Sequence, residues 1–597
     1  MKNFSLVALF ASYLVILCFV FYYPKFNKQG SEATISYDVA GYYFYLPAIF
    51  IYHDIHHLEF QEALKNKYRY SNSDYQGVLL PDSTYTMKYP IGAAIFYSPF
   101  FFIAHGYASA TGLNADGFSH PYQVMLSLGC LFYTFLGLWF LRKILLLFFS
   151  EMATGITLLL LVTASNYLNY SAIDHAMTHN QLFTLYVFII WFSIKFHEKP
   201  TLKIALLLGL FCGLATITRP TEIICVLIPV LWNVTGYKSL ISRIRFFFTQ
   251  YKMTLLFIFG AIIVGSIQLF YWKITTGKFL FYSYEEQTFS WLHPHIIEGL
   301  FSYKKGWFIY TPVMLFIIPG FIYLYKNNKG LFLPMFLFVI LNIYIAFSWD
   351  IWWYGGSLGQ RSMVQSYAFL SLPIAALVQA VLNSHRITQF LIAIICGFFI
   401  WFNITLTFQA HNKYSILDDN AMNRVYFWKV FGKLKIDLDD KKYLDTYEIH
   451  KGERSNVKEI YFNDIEYDLT EIDTTGILDG KKCLFVTAEK QFTQPYAIPI
   501  PSTDVEWINI SADFYFPIKE WDIWKMPQFI VQFKNNGEVV KVKFLRVHRI
   551  MGSSEKKNLN FDVKIPLKEY DLLEFYLWNA DGTTTTYIDN IRAMSFN

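Results

Sequence analysis

Charge is what this 597-residue chain has least of: 16% of its residues are Asp, Glu, Lys or Arg, against about 25% in soluble domains. Cysteine is scarce as well. Five of the six (Cys18, Cys130, Cys212, Cys225, Cys396) lie in apolar runs, and Cys483 alone lies in the polar C-terminal part. That part has no internal partner for a disulfide, and a buried Cys acts as a small hydrophobe. No internal repeat stands out. Serine hydrolysis, which uses a Gly-x-Ser-x-Gly elbow, and nucleotide hydrolysis, which uses a glycine-rich phosphate cradle, are not expected. What is abundant is apolar and aromatic: 54% hydrophobic residues, with 59 Phe, 43 Tyr and 15 Trp. One soluble core does not absorb that surface. Disordered chains, disulfide scaffolds and nucleic-acid binders fit poorly, and the excess is expected to face lipid.

The charge is unevenly divided. Residues 1–409 hold 41 of the 95 charged residues, and residues 410–597 hold 54. Two environments are joined near Gln409, one solvated by lipid and one by water. Apolar runs of helix-spanning length begin with Phe4–Tyr23, read as a retained anchor rather than a cleaved signal. They continue at about 122–145, 153–169, 180–196, 202–217, 221–235, 253–272, 308–325, 331–348, 363–382 and 388–408. These make eleven helical spans. The stretch 90–108, broken by Pro99, His105 and Gly106, is expected to lie in the interface. With the N-terminus in the cytoplasm, 13 Lys and Arg fall inside and six in the short outer loops, which is the positive-inside asymmetry. Fourteen of the 16 acids of residues 1–409 fall outside. The chain is thus expected to be a multi-pass protein of the inner (plasma) membrane with an extracytoplasmic C-terminal domain.

The expected organisation is a polytopic membrane domain over 1–408, whose first outer loop spans 24–121 and carries Tyr/Phe-rich interfacial helices. A connector at 409–470 follows, then an all-β sandwich of jelly-roll or galactose-binding type over 471–597. Short alternating strands and the turn signals Asn535-Asn-Gly537 and Asn579-Ala-Asp-Gly582 support the sandwich.

Candidate chemistry collects at the outer ends of the spans. Asp38, in Ser36–Tyr-Asp-Val-Ala-Gly-Tyr-Tyr43, is either a membrane-surface carboxylate able to deprotonate a hydroxyl or a helix cap. Asp174, His175 and His179 cluster at membrane depth, as a site or a solvated turn. Arg219 either pairs with Glu222 or binds an anionic headgroup. One outer loop carries Glu285, Glu286, Lys304 and Lys305. Another, Trp349–Asp-Ile-Trp-Trp-Tyr-Gly-Gly-Ser-Leu-Gly-Gln-Arg361, offers Trp349, Asp350, Trp352 and Trp353 for stacking on a sugar, or as an interfacial aromatic belt. His53, Asp54, His56 and His57 read as a solvated stretch.

The anchor followed by Tyr37-Asp38 and Tyr42-Tyr43, the segments Lys88-Tyr-Pro-Ile-Gly92 and Ser98-Pro-Phe100, and Arg219-Pro-Thr221 at a helix junction resemble the GT-C superfamily of membrane glycosyltransferases. Protein O-mannosyltransferases and lipid A aminoarabinose transferases are the named relatives. Many members carry an acidic pair in the first outer loop, whereas here Val39 follows Asp38, which leaves metal use open. Thr586–Tyr-Ile-Asp-Asn-Ile591 resembles the last strand of carbohydrate-binding sandwiches. The resemblance implies transfer of a sugar, with inversion, from a polyprenyl-phosphate-linked donor to a glycan, lipid or protein acceptor outside the cytoplasm. It implies Asp38 as the catalytic base, with Arg219, Arg361, Lys304 and Lys305 on the donor phosphate. Tyr42, Tyr43, Lys88, Asp174, His175, His179, Glu222, Glu285, Glu286, Trp349, Asp350, Trp352 and Trp353 are the residues expected around the sugar. No cofactor is assigned beyond the lipid-linked donor and a divalent metal left open. The competing classes are a transporter or flippase of lipid-linked sugars, which repeats and mid-bilayer charges would mark, and a membrane-anchored surface-glycan-binding protein.

Overall fold

A computed structural model describes residues 3–71, 77–412, 415–466, 477–480, 482–499 and 505–597. The chain folds as two units, Met1–His411 and Asn412–Asn597. The first is helical, with long apolar helices; the second is an all-β sandwich with short flanking helices.

Among the described residues, six helical stretches are long and apolar enough to cross a bilayer: Phe4–Asn27, His120–Leu146, Tyr251–Thr276, Lys329–Ser348, Arg361–Leu382 and Arg386–His411. Of the other five runs read from the sequence, four fall on shorter or broken helices and one on Thr178–Glu198, which is long but less apolar. Glu151–Thr163 stops at Ala164 and resumes as Tyr167–Ala172. Thr178–Glu198 and Leu202–Thr218 are unbroken. Pro220 and Pro312 each open a 3₁₀ turn before the α-helix resumes, because proline fixes φ and donates no hydrogen bond. The outward apolar faces are large: Leu255, Ile262 and Phe270 on Tyr251–Thr276 are 60%, 61% and 57% exposed. A water-solvated surface would not carry so continuous an apolar face.

Helix Tyr251–Thr276 holds to the unit through small residues. A Cβ at Gly209 would lie 2.0 Å from the Phe257 carbonyl oxygen, and one at Gly260 would lie 2.8 Å from that of Leu206. Backbones approach this closely only where side chains are absent, the usual device for joining helices that gain no hydrophobic drive from lipid.

The described residues of the segment 24–121 fold into helices and a hairpin rather than lying draped on a surface. The segment contains helices Tyr37–Tyr43, Tyr45–Phe50, Phe60–Tyr68 and Gly92–Thr111, and a hairpin of Gly77–Leu79 with Tyr85–Met87. The expected interfacial Tyr/Phe helix at 42–50 is instead mostly inside the fold: Tyr42 to Ala48 are buried. Tyr43 donates to the Gly117 carbonyl at 2.6 Å and Tyr45 to that of Tyr89 at 2.6 Å. Buried hydroxyls with such partners lose little on leaving water, so an aromatic-rich segment can serve as core here.

The sandwich begins earlier in the chain than expected. The expected start at 471 lies outside the described residues, but Lys458–Asn463, assigned above to the connector, already pairs with the final strand Thr586–Phe596. One sheet orders Lys458–Asn463, Thr586–Phe596, Trp507–Tyr515 and Lys557–Lys564, with Leu484–Val486 also against Thr586–Phe596. The other orders Tyr496–Pro499, Leu572–Trp578, Gln528–Asn535 and Glu538–Arg546. Alternate residues such as Leu573, Phe575 and Leu577 point into one core, as a period of two requires. Asn536 and Gly537 have φ of 51° and 85°, the positive values a two-residue hairpin turn needs.

The close helix contact yields a paired test. Gly209→Leu should cost at least about 1–3 kcal/mol by overpacking and lower the yield of monodisperse protein. Gly265→Leu, at a position with nothing within 4 Å, should not. Size-exclusion profiles and thermal melts of the two variants in detergent decide it.

Candidate functional site

Asp38 occupies the first turn of helix Tyr37–Tyr43, and Ser36 takes the cap position. The carboxylate therefore does not cap the helix and is turned to other partners. Arg361 Nη1 lies 2.9 Å from Oδ2, with the two side chains 14% and 17% exposed, and the Tyr89 hydroxyl donates to Oδ1 at 2.8 Å. Tyr42 stacks on Tyr89 with ring centroids 4.4 Å apart. Burial, with a smaller push from Asp38, raises the Tyr42 hydroxyl to about 12, while Arg219 and Arg361 pull it the other way. Tyr42 is thus a neutral hydroxyl beside a carboxylate and two guanidinium groups. Burial lowers the Lys88 ammonium below its ordinary value, against Asp38 and Glu285, which raise it. Lys88 Nζ also stands 5.7 Å from the centre of the Tyr284 ring.

Behind this pair is a polar chain. Arg219 Nη1 is 3.3 Å from His179 Nδ1, and that nitrogen is 3.0 Å from Gln365 Oε1. One nitrogen cannot both accept from Arg219 and donate to Gln365. The shorter contact is assigned as Nδ1–H donating to Gln365, whose amide nitrogen donates in turn to Glu222 Oε1 at 2.9 Å. The Tyr186 hydroxyl donates to the other Glu222 oxygen. Glu222 is 2% exposed, and the Arg219 guanidinium lies 5.7 Å from the Tyr354 ring centre. A buried carboxylate with two donors and a guanidinium close by meets the requirement that buried charge be paired.

The loop carrying Arg361 is held mainly through its backbone. Asn166 Nδ2 donates to the carbonyls of Leu358 and Gln360 at 3.1 and 3.4 Å. The Leu358 N–H donates to the Tyr170 hydroxyl at 3.1 Å, and Lys305 donates to the Ser357 carbonyl. Asn166 is itself fixed by the Tyr367 hydroxyl at 2.7 Å, which accepts from Trp307 Nε1 at 2.9 Å. Gly359, with φ of 61°, leaves no room for a side chain: a Cβ would come within 2.9 Å of Tyr310. The segment Gly355-Gly-Ser-Leu-Gly359 does spell Gly-x-Ser-x-Gly, contrary to the expectation that no such elbow is present. It joins two helical segments rather than strand to helix, and Ser357 Oγ donates to the Gly359 carbonyl at 3.2 Å. It lacks the setting of a nucleophile elbow.

The structure therefore unites Asp38, Tyr42, Lys88, Arg219, Glu222, His179 and Arg361, and sets the other candidates apart. Asp174 belongs to a second cluster. Lys25 Nζ is 2.7 Å from it and Asn169 donates to it at 2.8 Å. Its burial opposes ionisation, but Lys25 and His411 hold its pKa well below the carboxylate range. His175 is turned to the Ala172 carbonyl at 2.7 Å, and burial lowers it to about 4. Tyr43 is packing, as described. Asp350 accepts from Thr288 and Ser290 and so ties one outer loop to the next. Trp349 packs on Tyr284 and Phe289. Trp352 is buried, with its ring 5.8 Å from that of Trp353, and Lys304 Nζ lies 3.4 Å from the Trp353 ring centre. Lys305 is a buried strut, and Glu285 and Glu286 are exposed. Tyr89, Gln365 and Tyr186 were not singled out from the sequence. Tyr89 sits inside the Lys88-Tyr-Pro segment, but nothing local marks its hydroxyl as aimed at Asp38.

Among the described residues, no three His, Cys, Asp or Glu side chains converge as a metal-ligand set. Both Asp38 oxygens already face donors, so the residues as arranged do not fit a resident cation.

No family model matches the chain, and no curated protein does. Among solved structures, the arabinosyltransferase EmbB from Mycobacterium smegmatis is similar over 84% of this chain, at 9% identity and a TM-score of 0.29. The match spans 59% of the EmbB chain. The CBM22-1 xylan-binding domain of Paenibacillus barcinonensis Xyn10C is similar over 24% of this chain and 83% of its own, at 14% identity and a TM-score of 0.14. At these scores neither likeness assigns an activity to this chain.

Removing the Asn166 amide should release the loop. Each lost hydrogen bond is worth about 1 kcal/mol. Asn166→Ala, which removes two such bonds, should therefore speed amide exchange of residues 355–361 by about 30-fold, with exchange in Arg386–His411 unchanged. Hydrogen-exchange mass spectrometry of the intact protein reads both.

Proposed function

We propose that the protein is a multi-pass membrane glycosyltransferase, which moves a sugar from a polyprenyl-phosphate donor to an acceptor hydroxyl on the extracytoplasmic side. The observation that carries this reading is the Asp38–Arg361 pair, with Arg219, Tyr42 and Tyr89 around it, in a unit whose long apolar helices suit a lipid-borne substrate.

The chemistry follows from competition for Arg361. At rest its guanidinium holds the Asp38 carboxylate. A phosphate matches the same planar fork and carries more charge. A donor phosphate that draws Arg361 to itself, with Arg219 beside it, frees Asp38 Oδ2 to accept a proton. The acceptor hydroxyl loses its proton to Asp38 as its oxygen bonds to the anomeric carbon. The bond from that carbon to the phosphate oxygen breaks, and polyprenyl phosphate leaves with the electron pair. The guanidinium groups meet the charge that develops on the leaving oxygen, where fixed cations are worth most. A single displacement of this kind inverts the anomeric centre. Gln365 and Tyr186 hold the Glu222 carboxylate, and Tyr89 orients the base. The N-terminus lies in the cytoplasm and the sandwich outside it in this reading.

Transfer from a short-chain polyprenyl-phosphate sugar to acceptor, followed by mass spectrometry with protein in vesicles, tests the scheme. Asp38→Asn should lower kcat by at least about 100-fold, the scale of general-base catalysis, with donor binding kept. Arg361→Ala should weaken donor binding as well as kcat. Full transfer by Asp38→Asn would remove Asp38 from the mechanism, and sugar translocation without transfer would favour a flippase. A reporter fused after Asn597 should be active only outside the cytoplasm.

A further inference from the structure

A cavity lies away from the pair just described, lined by residues between Phe26 and Met125. It encloses about 1270 Å³, more than the few hundred to 1,000 Å³ typical of small-molecule sites. Its lining mixes two chemistries: the cations Lys28, Lys67 and Arg69, and the apolar Ile103, Tyr107 and Leu113. Among the described residues, no Asp or Glu lines it. Ile103 and Tyr107, one helical turn apart on Gly92–Thr111, are 53% and 56% exposed, and Leu113 is 49% exposed. The cations are not equivalent. Lys67 is held by Asp116 at 2.7 Å, and Lys28 lies 3.8 Å from Glu32 and 3.4 Å from the Tyr23 ring centre. Arg69 is exposed and, among the described residues, has no carboxylate partner.

We infer that this cavity binds a phosphate-bearing lipid, with the headgroup on Arg69 and Lys28 and the first part of the chains along Ile103, Tyr107 and Leu113. Cations and apolar side chains in one acid-free lining are what an anionic amphiphile needs, and a neutral sugar needs neither. The planar fork of Arg69 suits a phosphate with two free oxygens. The cavity also touches the backbone of the pair: Tyr70 lines it, and its carbonyl accepts from the N–H of Tyr37, the residue before Asp38, at 3.0 Å. A lipid seated here would lie beside the helix that carries the carboxylate. The binding does not depend on the transfer reaction, and each can fail without the other.

Two sources share this chemistry, a glycerophospholipid of the bilayer and a polyprenyl phosphate. The test uses the full-length protein in a neutral sugar detergent with fluorescent phosphatidylglycerol as the probe, read by polarisation. Phosphatidylglycerol should bind at least about tenfold tighter than phosphatidylcholine, the scale of a charge-assisted contact. Arg69→Glu should remove that preference. Arg245→Glu, at an exposed arginine outside the cavity, should change affinity less than about twofold. Tyr107→Ser should weaken both lipids alike. Competition by polyprenyl phosphate that is lost in Arg69→Glu identifies the carrier lipid as the occupant; no competition identifies the bilayer phospholipid. Equal binding of the two phospholipids by the unaltered protein, or equal loss in Arg69→Glu and Arg245→Glu, overturns the site. Thermal melts matching the unaltered protein show that each variant is folded.

Discussion

A guanidinium facing a carboxylate inside a largely apolar bundle is the contact on which the rest of the helical unit is arranged. Two partly buried charges lose hydration, and only their mutual attraction and the surrounding donors offset that loss. Arg361 and Asp38 come from opposite ends of the helical unit's sequence, so their meeting requires the first outer loop and the last one to be fixed independently. The first is fixed by burying tyrosines with satisfied hydroxyls. The last is fixed by Asn166, Tyr170 and Lys305 on its backbone. Glu222 lies one step deeper, where Gln365 and Tyr186 both donate to it.

Much of the architecture was legible in composition. The step in charge density near Gln409 falls close to the change of unit at His411 and Asn412, because lipid and water select opposite residues. The apolar runs coincide with helices for the same reason. The sandwich strands with strict alternation, Trp507–Tyr515 and Leu572–Trp578, lie where the pattern puts them. Lys458–Asn463 was missed because its residues are mostly exposed or half-buried and carry little alternation. Strand pairing decided that case, and pairing is a long-range property.

The candidate residues divide along the same line. Asp38, Arg219 and Arg361 stand out as charges in apolar surroundings, but their roles came from the family resemblance and not from position alone. Which of the aromatic and acidic residues would join them could not be read from the sequence. Tyr42 and Tyr43 are neighbours in sequence, yet a helix turns them about 100° apart. One meets Tyr89 and the other Gly117. Asp174 and Asp350 look like site carboxylates in sequence, and each is spent on a local partner: a lysine for the first, two hydroxyls for the second.

The struts under the Arg361 loop reach mainly for carbonyl oxygens and for one N–H, groups that nearly every amino acid supplies. Side-chain identity enters at Gly359, where Tyr310 leaves no space, at Gln360, whose amide nitrogen donates to the Trp352 carbonyl at 3.1 Å, and at Ser357, whose hydroxyl donates to the Gly359 carbonyl at 3.2 Å. Natural variation and directed libraries are therefore freest at Leu358, where the struts grip only the main chain while the guanidinium keeps its post.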